Sequence, residues 1–140
     1  MVSEPETGFE RKVMEGDRIG EELEQLVARD PRYKLEAYLF TMSSVEYTMA
    51  RLGRQGHVSG RELLDGIRDL ARDKFGLTAR MVFEHWGVKT TEDFGEIVFN
   101  LVEAGVLGKT ERDSRDDFKD VYDFCDVFER RYDWGTKGKA

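Results

Sequence analysis

From Lys34 to Gly105 the chain repeats one device: nonpolar side chains at steps of three and four, each run ended by a glycine. That spacing lines one side of an α-helix, and glycine accepts the left-handed backbone that closes a helix. The longest stripe, Leu35, Tyr38, Leu39, Met42, Val45, Met49 and Leu52, predicts a helix over Lys34–Leu52 stopping at Gly53. Ser59-Gly60-Arg61-Glu62 has the form of a capping box, in which the serine and glutamate side chains satisfy each other's backbone N–H. It opens a helix with Leu63, Ile67, Leu70, Ala71 and Phe75 inward, ending at Gly76. A shorter helix over Thr78–Trp86 is predicted to bury Met81, Val82 and Trp86 before Gly87. Thr90 or Thr91 caps the next, Glu92–Ala104, with Phe94, Ile97, Val98, Leu101 and Val102 inward. Upstream, Leu23, Leu26 and Val27 mark a helix over Gly20–Arg29 that Asp30-Pro31 ends, because a residue before proline is driven out of the helical region.

Beyond Gly105 two readings compete. Val106-Leu107 and Phe118–Tyr122 form a small hairpin around a charged turn, followed by a short helix capped by Asp123. Alternatively, Phe118, Val121, Tyr122, Cys125 and Phe128 share one helical face. The hairpin is preferred. The fold class expected is mainly α, a compact bundle of five to six helices, with a winged-helix-like arrangement over residues 59–123. Residues 1–18 read as a flexible lead-in, 19–129 as one globular domain, and 130–140 as a flexible tail around Trp134.

The chain carries 22 Lys and Arg against 29 Asp and Glu, a net charge of −7. Phosphate backbones are met by Lys and Arg, so this balance argues against nucleic acid as partner. In a winged helix-turn-helix the reading helix would be Glu92–Ala104. Its outer face offers Glu92, Asp93, Glu96, Asn100 and Glu103 and no cation, leaving Arg51, Arg54, Arg61 and Arg68 as the basic patch. Cys125 is the sole cysteine, which excludes an internal disulfide and a Cys-based zinc site and suits the cytoplasm. No apolar run approaches the ~20 residues that span a bilayer, and no signal-peptide pattern opens the chain.

Catalytic signatures are missing. The acids Glu111, Asp113, Asp116, Asp117, Asp120 and Asp123 lack the central glycine of a calcium loop and alternate with Arg112, Arg115 and Lys119. Asp93-Phe94-Gly95 matches a kinase triplet without the rest of that machinery. His85 with Glu96, or His57 meeting His85, supports a small metal-assisted hydrolase only if the fold assembles them. The expectation is therefore a non-enzymatic protein-interaction or regulatory domain, a homodimer or an adaptor, with no cofactor. Its candidate surfaces are Glu92, Glu96, Asn100 and Glu103, and the aromatics Phe118, Tyr122, Phe124 and Phe128, since partly covered aromatics beside arginine anchor partners. An atypical winged-helix nucleic-acid binder and the His85–Glu96 hydrolase are the alternatives.

Three segments carry a resemblance. They are His57-Val58-Ser59-Gly60-Arg61-Glu62-Leu63-Leu64-Asp65-Gly66-Ile67-Arg68, Glu84-His85-Trp86-Gly87-Val88, and the run from Thr91 through Gly105. Together they are similar to a family of small uncharacterised bacterial proteins from planctomycete and verrucomicrobial genomes. The likeness spans Asp30 to Phe128. It implies cytosolic single-domain proteins and brings no activity, cofactor or site residue.

Overall fold

The structure, a computed structural model, describes residues 10–11, 16–53, 56–109 and 113–130. Its helices are α1 (Gly16–Arg29), α2 (Leu35–Leu52), α3 (Gly60–Phe75), α4 (Ala79–His85) and α5 (Thr91–Glu103). Two short strands, β1 (Glu10–Arg11) and β2 (Leu107–Gly108), pair antiparallel. The fold is mainly helical, as the periodicity predicts, and α2, α3 and α5 start and stop close to their sequence signals. α1 begins at Gly16, ahead of the expected Gly20, and β1 also falls within the expected lead-in. The tail with Tyr132 and Trp134 lies outside the described residues.

The capping box forms: Glu62 N–H donates to Ser59 Oγ (3.1 Å) and Ser59 N–H to Glu62 Oε1 (2.9 Å). Gly53, Gly76, Gly87 and Gly105 all adopt positive φ at the helix ends where the spacing places stops.

α2 is the central element, packed by α1, α3 and α5. Its buried face is wider than the apolar stripe and takes in Ala37, Phe40, Thr41, Ser44 and Thr48 beside Tyr38, Met42 and Val45. The hydroxyls of Thr41, Ser44 and Thr48 donate to the carbonyls of Ala37, Phe40 and Ser44 (2.8, 2.8 and 2.7 Å), so small polar side chains are buried with their hydrogen bonds made. Opposite Thr48, α3 presents Gly66, where a Cβ would collide with Thr48 Oγ1. Three stripe members fall outside this seam: Leu35, Leu39 and Leu52 stay 38, 45 and 44% exposed.

α4 is rotated relative to its predicted phase. Ala79, Phe83 and Trp86 face inward, Val82 is half-buried and Met81 is 61% exposed. A 3-10 turn at Gly76–Thr78 precedes α4, so its helical phase is set by that turn and by tertiary packing rather than by its own pattern. Phe83 becomes the hub of the core, its ring 5.1–5.7 Å from those of Phe40, Trp86, Phe94, Phe124 and Phe128.

The expected hairpin does not form. β2 pairs with β1, Arg11 opposite Leu107, and Phe118–Tyr122 is not a returning strand. Arg115–Phe118 is a 3-10 turn on α5, and Asp120, at φ 50°, redirects the chain. Thr91 on α5 captures this segment: its Oγ1 donates to the Phe118 carbonyl (2.7 Å) and accepts from Val121 N–H (3.1 Å). Gly95, one turn on, leaves room for Phe118, whose Cβ would lie 2.9 Å from a Cβ there. The winged-helix arrangement thus loses its wing. A final π-helical turn, Asp126–Arg130, is capped by Asp123, whose Oδ1 accepts from Asp126 N–H (2.9 Å).

Candidate functional site

The C-terminal aromatics are core residues. Phe118, Phe124 and Phe128 are buried, the last two against Phe83, and Tyr122 is half-buried with its hydroxyl donating to the Leu64 carbonyl (2.6 Å). Burial pushes the Tyr122 phenol far above its ordinary range. The expected aromatic docking surface is therefore corrected: the fold draws these rings inward, and Arg72 Nη2 fastens the segment through the Val127 carbonyl (2.8 Å).

The outer face of α5 is also different from its sequence. Glu92 and Glu103 are exposed at its two ends, but the middle is covered by side chains from elsewhere. Arg32, in the α1–α2 turn, reaches Glu96 at 3.6 Å, and Arg115 Nε donates to Glu96 Oε2 at 3.2 Å. The Arg115 guanidinium lies 4.8 Å over the Phe99 ring and Lys109 Nζ lies 5.9 Å over the same ring, within cation–π range. A face that reads as purely acidic along the helix thus carries three cations in three dimensions. No local pattern signals this, because those cations arrive from the turns before α2 and after α5.

Beside them runs a hydrogen-bonded seam. Asn100 Nδ2 donates to Asp30 Oδ2 (2.9 Å) and to the Tyr38 hydroxyl (3.0 Å), so Asn100 joins α5 to α2 and to the turn that follows α1. Asp30 accepts a fork from Arg32 Nε (2.8 Å) and Nη2 (2.7 Å). That guanidinium holds the Asp30 carboxyl far below the usual carboxylate range. Asp93 accepts from the Tyr33 hydroxyl (2.5 Å) and from Lys89 and Thr90 N–H (2.8 and 3.2 Å). Burial first, and then the Asp93 carboxylate, push the Tyr33 phenol far up, which keeps it a proton donor.

The other candidates stay dispersed. His85 is exposed at the end of α4, His57 is half-buried ahead of α3, and Glu96 is engaged by two arginines. Among the described residues no group of three or more His, Cys, Asp or Glu could hold a metal ion. In the basic patch, Arg51 and Arg68 both pair with Asp69 (2.5 and 2.9 Å), Arg61 is exposed, and Arg54 lies outside the described residues. A dent lined by Thr48, Arg51, Leu52, Glu62, Asp65 and Gly66 holds about 90 Å³, below the ~300 Å³ at which small-molecule pockets begin. Leu35 and Leu39 share one outer edge of α2, one turn apart, and both are open.

No helix among the described residues is long and apolar enough to cross a membrane. No family model matches the chain, and no curated protein or solved structure is significantly similar to it.

Proposed function

We propose that this protein is a non-enzymatic interaction or regulatory domain that works in the cytoplasm as a homodimer or an adaptor. The observation that carries the reading is the Leu35–Leu39 edge of α2. Nearly every aromatic of the core is withdrawn from solvent, yet two leucines one turn apart remain 38 and 45% exposed. Adjacent exposed leucines on one helix form an i, i+4 anchor pair of the kind used when a helix face meets a partner. The contact surface moves accordingly from the C-terminal aromatics to α2. The dispersed histidines and the loss of the wing both weaken the hydrolase and nucleic-acid alternatives. Kinship with the small bacterial family that residues 57–68, 84–88 and 91–105 resemble belongs to the same proposal and adds no activity to it.

The test is Leu35→Ser with Leu39→Ser. The pair lies outside the core, so the far-UV circular dichroism and cooperative melt should persist. Light scattering should show wild type heavier than a monomer at about 100 µM, or a partner retained from lysate, and the variant should lose that association. A monomeric wild type whose retained proteins are unchanged by the double substitution overturns the reading.

A further inference from the structure

We draw no further inference here: the strongest candidate, the dent between the end of α2 and the start of α3 beside the exposed Leu52, has its charged groups Arg51, Glu62 and Asp65 already engaged by Asp69, Ser59 and Arg68, and nothing in the structure shows what covers it.

Discussion

Gly66 and Thr48 set how closely α2 and α3 approach. In an exposed helix, glycine to alanine gains about 1 kcal/mol. Here the added methyl meets Thr48 Oγ1, which its own bond to Ser44 holds in place. Gly66→Ala should therefore destabilise the protein by about 1–3 kcal/mol in urea unfolding. Adding Thr48→Ala should recover part of that loss, a coupling that a double-mutant cycle reads directly. Asp30 supplies a pH prediction. Its carboxyl titrates far below the usual range when folded, beside Arg32, and near ~3.9 when unfolded. Its stabilisation is complete above the unfolded value and declines as pH falls below it toward the depressed folded value. Melting temperature should drop between neutral pH and about pH 3, and Asp30→Asn should make that drop shallower. An equal drop in the variant would show that other carboxylates govern acid stability.

α5 and the segment after β2 act as one unit. The Thr91 hydroxyl is buried and serves Phe118 and Val121 together. Thr91→Val keeps the shape and removes both bonds, at a cost of about 1–3 kcal/mol. Hydrogen exchange at the Val121 amide should accelerate more than exchange within α3. If both speed up equally, the segment opens only with the whole fold. This same stretch marks where pattern reading stopped. Val106-Leu107 looks like a strand by itself and the observed β2 sits one residue on, at Leu107–Gly108, but strand pairing needs a partner that no local signal names. That partner was β1, far upstream, and the Phe118 segment instead met a hydroxyl and a glycine on α5.

Across the whole molecule, the rings around Phe83 hold α2, α4, α5 and the last turn together. Phe83→Ala should cost about 3–5 kcal/mol, while Met81→Ser, two residues away and 61% exposed, should change stability by less than about 0.5 kcal/mol. Comparable losses would mean that α4 is phased as its own pattern predicts. Local sequence determined the helices, because caps, glycine stops and a 3.6-residue apolar repeat act within a few neighbours: Ser59 with Glu62, Gly53, and the Phe94–Leu101 stripe are all seen in place. Tertiary structure alone decided which side of each helix counts as inside, because burial depends on what packs against it. It turned Leu39 outward, drew Phe118 and Phe128 in, and laid Arg32 and Arg115 over a helix that carries no cation of its own.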